Sequence, residues 1–203
     1  MRTVWIVRHM HRQDTDNPDW RAQAVYPDDP DLSPQGQEQA QQLAHFLAPH
    51  ALDYIFTSPF LRAMRTAWPV AQRQKLTLKI EPGLGEFLNP DWFAAPPKRH
   101  ALTWLQQEFP LIDPDYRPRF NPQFPEEDLA AIARASRVAA QLVQEFTGNV
   151  LMVGHGVSVW GATWGVLPDQ PEIQCDLGSL IEIQQTPTGW QLVRTGATDY
   201  LSL

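Results

Sequence analysis

The chain has 203 residues, a length that fits one domain and leaves little room for a second. Hydrophobic residues make up 43% of it and charged residues 19%, which excludes an intrinsically disordered protein. The net charge of −7 disfavours nucleic acid or an anionic membrane as the main partner. The single cysteine, Cys175, excludes an internal disulfide, and no apolar run is long enough for a membrane span or a signal peptide. We therefore expect a cytoplasmic protein.

The first eighty residues alternate between strand and helix patterns. Short runs of β-branched and apolar residues predict strands over 3–7, 52–57 and 76–80. Ser33-Pro34 and Ser58-Pro59 each combine an N-cap residue with a proline suited to the first helical position, and apolar residues at helical spacing follow both. Pro69 lies within the second helix and is expected to kink or shorten it. The polar, proline-containing segment 14–31 predicts a loop.

The composition changes between residues 82 and 125, where nine of 44 residues are proline. This composition disfavours a sheet, and we interpret 82–125 as a cap or lid insertion with one helix near 98–109. A long helix is predicted over 126–146, and its expected buried face comprises Leu129, Ile132, Ala133, Val143 and Phe146. The remaining pattern predicts a strand over 150–153, a helix after Gly156, and a hairpin of 179–185 with 190–195.

Alternating strands and helices are typical of a mostly parallel sheet with helices on both faces. We therefore predict an α/β fold with three α/β/α layers, a mostly parallel central sheet, and a single domain over 1–203 that carries the Pro-rich cap insertion. In such folds the functional site lies outside the carboxyl ends of the strands. The residues that follow each strand are therefore the first candidates for function.

Chemically active side chains follow each of the four predicted parallel strands. Arg8 and His9 end the first strand, and Arg62 lies in the first turn of the helix after the second. Glu86 follows the third strand, and His155 ends the fourth. Each residue alone is more often an ordinary surface or hydrogen-bonding group, but independent surface residues have no reason to share one edge of a sheet. We therefore expect them to converge there.

This combination suits phosphoryl transfer. A neutral imidazole is a nucleophile near pH 7, and a neighbouring guanidinium would keep His9 unprotonated. Arginines and His155 would donate hydrogen bonds to the phosphoryl oxygens as negative charge spreads over them. Glu86 would protonate the departing alkoxide and then, as a carboxylate, activate water.

The sequence resembles the histidine phosphatase superfamily, which is also called phosphoglycerate mutase-like. Five motifs carry the resemblance in the family's order over nearly the whole chain: Val7-Arg8-His9; Leu32-Ser33-Pro34-Gln35-Gly36 with Gln39-Ala40; Ser58-Pro59-Phe60-Leu61-Arg62-Ala63 with Thr66-Ala67; Gly83-Leu84-Gly85-Glu86; and Val153-Gly154-His155-Gly156. Within this family, one branch comprises the ecdysteroid-phosphate phosphatases and the phosphatase domains of T-cell signalling suppressors. Arg12 resembles a pocket arginine of that branch, and Asp115-Tyr116-Arg117-Pro118 resembles one of its segments.

The resemblance implies site residues and a reaction. The implied catalytic set is His9, which becomes phosphorylated, Glu86, which donates a proton, and His155; the implied phosphate-binding set is Arg8, Arg12, Arg62 and His155. It implies no metal and no cofactor. The implied activity is hydrolysis of a phosphomonoester, either a small molecule or a phosphorylated side chain, with inorganic phosphate as product and no nucleic acid or membrane partner. Met10 stands where the family usually has glycine, and its side chain is expected either to narrow the pocket or to alter the backbone approach there.

Three alternatives stay open at this point. A metal hydrolase would use His9 and His11, with Asp14 and His155 as further ligands. A phosphoglycerate mutase-type enzyme would transfer the phosphoryl group rather than release it. A phosphate-binding module would keep the arginines and lack turnover. Separately, Trp92 and Phe93 follow Glu86 in the Pro-rich segment and are candidates for the wall of a substrate entrance.

Overall fold

The computed structural model describes residues 1–17 and 19–201. Within these residues lie six strands: β1 Thr3–Arg8, β2 Tyr54–Thr57, β3 Leu78–Ile80, β4 Val150–Gly154, β5 Leu180–Thr186 and β6 Gly189–Ala197. They also contain seven helices: α1 Gln13–Asp16, α2 Trp20–Gln23, α3 Pro34–Phe46, α4 Leu61–Gln74, α5 Leu102–Glu108, α6 Asp128–Glu145 and α7 Gly156–Val166. A 3-10 turn spans Pro82–Leu84. Among the described residues, no helix has both the length and the apolar character that a membrane crossing requires.

The six strands form one sheet in the order β3-β2-β4-β1-β5-β6. The first four strands in that order are parallel, while β5 and β6 are antiparallel to their neighbours and form the predicted terminal hairpin. The predicted α/β fold with a mostly parallel sheet is therefore confirmed. In the pairing of β1 with β4, Arg8 lies opposite Gly154, so the residues that follow these two strands are neighbours.

Helices pack on both faces of the sheet because successive strand residues point to opposite sides. On one face, Val7 and Val153 share a hydrophobic cluster with residues of α3, α4 and α5. On the other face, Ile6 and Met152 share a cluster with residues of α6 and α7. The three predicted layers are therefore present, with one hydrophobic cluster on each face of the sheet.

Two local predictions differ from the structure, the first of them in part. Helix α4 continues through the buried Pro69 to Gln74, so the shortening is wrong, while the alternative of a kink stays a prediction. The segment predicted as a loop over 14–31 includes the short helices α1 and α2. A helix of four residues has no repeating apolar face, so the sequence pattern carries no signal for it.

The predicted buried face of α6 is wrong in part. Leu129 is 79% exposed and Ala133 is exposed, whereas Arg134 is 1% exposed. The Arg134 guanidinium donates to both carboxylate oxygens of Glu126, at 2.7 and 2.9 Å, and to the backbone oxygen of Gly83 at 2.8 Å. A buried charge needs such partners. Because Gly83 is remote in sequence, helical periodicity alone does not reveal them.

The segment 82–125 contains the 3-10 turn and α5, and its remaining backbone is irregular. Helix α5 confirms the helix predicted near 98–109. The segment runs beside β3, where Ile112 forms an isolated β-bridge with Leu78. His100 in this segment donates from its backbone N–H to Asp29 at 3.2 Å. The role of 82–125 as a cap, and the single-domain organisation over 1–203, stay predictions.

Candidate active site

Four residues singled out from the sequence meet at the carboxyl edge of the sheet. His9 follows β1, His155 joins β4 to α7, Arg62 lies in the first turn of α4, and Glu86 follows the 3-10 turn. Single ligand atoms from His9, Glu86 and His155 all lie within 4.8 Å of one another. Arg62 donates to Glu86 over an NH2–Oε2 distance of 2.9 Å. The fold thus places two imidazoles, a carboxylate and a guanidinium in one cluster.

His9 is held in one tautomer by its own loop. The residue is 1% exposed, and its Nδ1 lies 2.9 Å from the backbone oxygen of Met10. A carbonyl oxygen only accepts, so Nδ1 carries the proton and Nε2 keeps its lone pair. Burial, together with the nearby Arg62 and His155, lowers the pKa of His9 well below its usual value. His9 is therefore neutral at pH 7 and has a nucleophilic nitrogen.

Ser58 orients His155. The Nε2 atom of His155 lies 2.8 Å from Ser58 Oγ, and its Nδ1 lies 3.3 Å from Glu86 Oε2. Since a carboxylate only accepts, the Nδ1 atom carries the proton and Nε2 accepts from the Ser58 hydroxyl. Burial lowers the pKa of His155 to about 4, although the Glu86 carboxylate acts in the opposite direction. The neutral ring therefore presents an N–H donor beside Glu86.

Glu86 is held as a carboxylate in this structure. Burial by itself would raise the pKa of Glu86. The adjacent His155 and the Arg62 guanidinium outweigh that effect and hold the pKa of Glu86 well below its usual range. Arg62 is 2% exposed, so its attraction to the carboxylate is little screened by water.

Several buried donors at this edge lack an acceptor. Among the described residues, Nε and Nη1 of Arg62 and Nε of Arg8 form no hydrogen bond. Leaving a buried donor unpaired costs roughly 1–3 kcal/mol, so such groups call for an explanation. A tetrahedral anion with several acceptor oxygens would satisfy them together. The arrangement is therefore suited to binding a phosphoryl group.

A cavity of about 500 Å³ opens beside this cluster; Arg62 and Glu86 line it, whereas the buried His9 and His155 do not. Its lining includes Arg8, Arg12, Arg62 and Glu86, and Trp92 and Phe93 form an aromatic part of its wall. Arg12 is held in place by Asp14, whose two carboxylate oxygens accept from its Nε at 2.9 Å and its NH2 at 2.8 Å. All three candidate arginines therefore line one cavity, next to the two aromatic residues considered for a substrate entrance.

The atoms of His9, Glu86 and His155 are also close enough to hold a metal ion. The Arg62 guanidinium, however, is 2.9 Å from the same carboxylate and would repel a second cation. The metal site considered from the sequence is not formed among the described residues. His11 Nδ1 lies 2.9 Å from Ser33 Oγ, and Asp14 is occupied by Arg12. The electrostatics of the cluster thus favour an anion.

Comparison with known families assigns the chain. Residues 4–198 match the profile described as the histidine phosphatase superfamily (branch 1). This chain belongs to that superfamily. The resemblance stated from the five motifs is therefore confirmed.

The relatives of this chain include a transcription factor subunit and a phosphatase. Transcription factor tau 55 kDa subunit of Saccharomyces cerevisiae is 30% identical over 119 residues, which cover 54% of this chain and 26% of that protein. Ecdysteroid-phosphate phosphatase of Drosophila melanogaster is 28% identical over 123 residues, which cover 53% of this chain and 15% of that protein. The aligned region therefore spans about a quarter or less of these relatives.

A solved structure gives the same fold. The ecdysone phosphate phosphatase of Bombix mori, in complex with tungstate, superposes with a TM-score of 0.77 and 18% sequence identity. The superposition covers 97% of this chain and 93% of the other. At 18% identity this superposition establishes the fold of the chain and not its chemistry.

Met10 does not narrow the pocket of this histidine phosphatase, contrary to the first of our two expectations. Its side chain is fully buried in the hydrophobic cluster that contains residues of α3 and α4, and it is absent from the cavity lining. Gly178, which has a φ of +71°, lies against it: a Cβ on that glycine would be 2.9 Å from Met10 Sδ. The backbone turns this side chain into the core, so Met10 acts in packing.

Met10→Gly is therefore expected to lower the free energy of unfolding by about 3–5 kcal/mol, since it removes a buried side chain and adds backbone freedom. The KM for a phosphomonoester should stay unchanged because the pocket wall is not altered. Urea unfolding and steady-state kinetics on the same preparation measure both. Met10→Leu, which keeps most of the volume, is the control and should cost less than about 1.5 kcal/mol. A lower KM in Met10→Gly at undiminished stability would contradict this assignment.

Asp29 is a buried residue of the site that sequence analysis missed. It is 1% exposed, and its Oδ1 accepts from the backbone N–H of Leu61 at 2.7 Å and lies 4.0 Å from Arg62 NH1. Its Oδ2 lies 3.1 Å from His100 Nδ1. Asp29 thus joins the segment before α3, the start of α4 and the segment 82–125 behind the buried arginine. The only sequence signal for Asp29 is its position a few residues before the Leu32-Ser33-Pro34 motif. The polar residues around Asp29 do not indicate that it is buried.

Proposed function

We propose that the protein hydrolyses phosphomonoesters without a metal ion, through a phosphohistidine at His9. One observation supports this most directly: a neutral His9 with an available Nε2 lies near buried guanidinium donors that lack acceptors. A nucleophile beside a preorganised anion pocket is the arrangement that phosphoryl transfer requires.

In the first step, Nε2 of His9 attacks the phosphorus atom. The N–P bond forms as the bond from phosphorus to the leaving oxygen breaks, and that oxygen takes a proton from Glu86. Arg8, Arg12, Arg62 and the Nδ1–H of His155 hold the three equatorial oxygens as charge develops on them. In the second step, the Glu86 carboxylate takes a proton from water, which attacks phosphorus and releases inorganic phosphate and neutral His9.

The substrate supplies the proton that Glu86 needs. Glu86 is ionised in the free protein because its pKa lies well below the usual range. A phosphomonoester has a second pKa of about 6, so its monoanion still carries one proton in mildly acidic solution. Once the negative phosphoryl group neutralises Arg62, the pKa of Glu86 rises and the proton can pass to it from the phosphoryl oxygen.

This scheme predicts a specific pH dependence. Burial lowers the pKa of His9 well below its usual value and that of His155 to about 4, so neither imidazole titrates in the usual range near 6.5. The kcat/KM for an alkyl phosphate should therefore rise from pH 8 to about 6, by up to about tenfold per unit, and stay level down to about pH 5. A profile of initial rates tests this. A loss of kcat/KM with a midpoint near 6.5 on the acidic side would show an ordinary imidazole and contradict it.

The cavity favours a phosphate ester with an apolar or aromatic alcohol. Trp92 and Phe93 offer aromatic contact, whereas Arg12 and Arg21 on the same lining are already paired with Asp14 and Asp28, which leaves little free positive charge for a second anionic group. We propose that 82–125 acts as the cap that carries this aromatic wall. We also propose that the enzyme acts in the cytoplasm on a small-molecule ester or a phosphorylated side chain.

Hydrolysis is preferred over the two alternatives within the family. A binding module needs neither an available nucleophile nor a carboxyl group beside it, and both are present. A mutase-type transferase has to keep water from the phosphohistidine, whereas seven of the thirteen residues that line this cavity carry charged side chains, which hold water.

The test is release of phosphate from p-nitrophenyl phosphate between about pH 5 and 8, with and without EDTA. Activity that survives EDTA supports the proposal. Loss of activity in EDTA would identify a metal-dependent enzyme, and no phosphate release under any condition would favour the mutase or the binding module.

A further inference from the structure

A second cavity, larger than the one lined by Arg62 and Glu86, lies on the segment 82–125. Its volume is about 590 Å³, and its wall is formed by α5, the loop before it and the residues that follow β3. Among the described residues, none lines both of these cavities, but a smaller cavity of about 160 Å³ lies between them and is lined by Arg99 on one side and Glu86 on the other. The second cavity is therefore a neighbour of the phosphoryl pocket, and the proposed hydrolysis leaves it without a role.

The second cavity contains two exposed arginines without a hydrogen-bonded carboxylate partner. Among the residues the structure describes, Arg99 forms no hydrogen bond and no close ion pair; its guanidinium lies 5.0 Å from the centre of the Phe60 ring, and the Asp29 carboxylate attracts it from a longer distance. Arg117 donates only to the backbone oxygens of Pro114, at 3.1 Å, and Tyr116, at 3.3 Å. In a chain of net charge −7, two unmatched guanidinium groups in one cavity are a notable concentration of positive charge.

The acidic residue of the lining does not neutralise these arginines. Asp113 is paired with the ammonium group of Lys79. Its other oxygen accepts from the backbone N–H groups of Asp115 at 2.9 Å and Tyr116 at 3.1 Å. Its acceptor capacity is therefore largely used by Lys79 of β3 and by backbone groups of the segment itself. A ligand that reached this cavity would meet free guanidinium donors rather than internal ion pairs.

The rest of the lining is mostly apolar. Ile80, Leu105 and Ile112 are buried side chains that contribute to it, together with several prolines. A concave, largely apolar surface of this size with a few placed polar groups is typical of a small-molecule site. Guanidinium groups on such a surface recognise carboxylate, sulfonate or phosphate through paired hydrogen bonds.

We propose that this cavity binds a small organic anion with an apolar body, whose acidic group is held by Arg99 and Arg117. The site shares no lining residue with the phosphoryl pocket, and the proposal does not depend on the reaction assigned to His9. The two regions still have one neighbour in common, because the Phe60 ring contacts the guanidinium of Arg99 and also that of Arg62, at 4.7 Å.

The test uses 8-anilinonaphthalene-1-sulfonate, an aromatic monoanion, as the probe in a fluorescence titration of the whole chain. Arg99→Gln combined with Arg117→Gln is expected to weaken probe binding at least about tenfold, because both charge-assisted contacts are lost. Arg73→Gln is the matched control; that arginine is exposed on α4, is bound to His45, and should not change binding. Equal binding by the double variant and the wild type would overturn the proposal.

Saturating inorganic phosphate distinguishes the two cavities. Phosphate occupies the cavity lined by Arg62 and Glu86 if that cavity binds phosphoryl groups, and we expect the probe to remain bound in its presence. Displacement of the probe by phosphate, together with loss of binding in Arg62→Gln, would place it in that cavity and overturn the assignment to the second cavity.

A charge reversal inside the cavity gives a second, independent test. Leu102 is 53% exposed, lines the cavity and is the first residue of α5, where a glutamate is well tolerated by the helix dipole. Leu102→Glu places a carboxylate near the arginines and should weaken probe binding several-fold relative to Leu102→Gln. Thermal unfolding of both variants is the control that checks whether they are folded. Equal affinity in this pair would contradict an anion site.

Discussion

Replacing His9 with alanine is expected to lower kcat for any phosphomonoester by at least about 10⁴-fold, because the group that would form the N–P bond is removed. The buried arginines remain, so substrate should still bind. Rapid acid and alkaline quenching of the enzyme with ³²P-labelled substrate provides the direct readout. The wild type should yield a phosphoenzyme that is stable to alkali and labile to acid, as expected of a phosphohistidine, and His9→Ala should yield none.

His11→Ala is the matched control for this experiment. His11 is two residues away and is engaged with Ser33 rather than with the cluster of His9, Glu86 and His155. Its removal should leave the phosphoenzyme and kcat within about threefold of wild type, as expected of a residue outside the reaction centre. If His9→Ala retained a substantial part of wild-type kcat, or if His11→Ala were as damaging as His9→Ala, the phosphohistidine at His9 would be ruled out.

Replacing Glu86 with glutamine is expected to have an effect that depends on the leaving group. An alkyl phosphate releases a strongly basic alkoxide that needs protonation, so kcat should fall by about 10²–10⁴-fold. p-Nitrophenolate leaves without a proton, and that substrate should lose far less in its phosphorylation step. Single-turnover rates for phenyl, alkyl and p-nitrophenyl phosphates, plotted against the pKa of the leaving alcohol, give the comparison. The slope should be steeper for Glu86→Gln than for wild type.

Asp14→Asn provides the matched control. Asp14 lines the same cavity as Glu86, and its carboxylate accepts hydrogen bonds from Arg12. Its loss should reduce all three substrates by a similar factor, because a phosphate contact is weakened whatever the leaving group. Equal losses across the three substrates in Glu86→Gln would show that Glu86 positions Arg62 rather than donating the proton.

How far the sequence reaches is clearest at the strand ends. The β-branched runs and Ser-Pro helix starts predicted the parallel sheet, and the residues after the strands were correctly expected to meet at one edge. This works because strand and helix periodicity, helix capping and the connection rules of parallel sheets are local properties. Family membership followed from motifs in order along the chain, which are also a property of the sequence alone.

The residues that the sequence misjudged depend on contacts between distant segments. Arg134 belongs to the buried face of α6 because Glu126 and the carbonyl of Gly83 are there to receive it. Asp29 is buried because the start of α4 and the segment 82–125 donate to it. Met10 points into the core because the backbone after β1 turns there. A polar residue's burial depends on its partners, and those partners are known only once the chain is folded.

By itself, the amino-acid sequence determined the fold class, the family and the group of residues around His9, since each is written in local patterns and in motif order. Only the tertiary structure decided which nitrogen of His9 is free, that Glu86 is ionised beside Arg62, and that a second, positively charged cavity exists. Tautomers, pKa values and cavities arise from atoms brought within a few ångströms by the packing of remote segments, where low dielectric makes each neighbouring charge count.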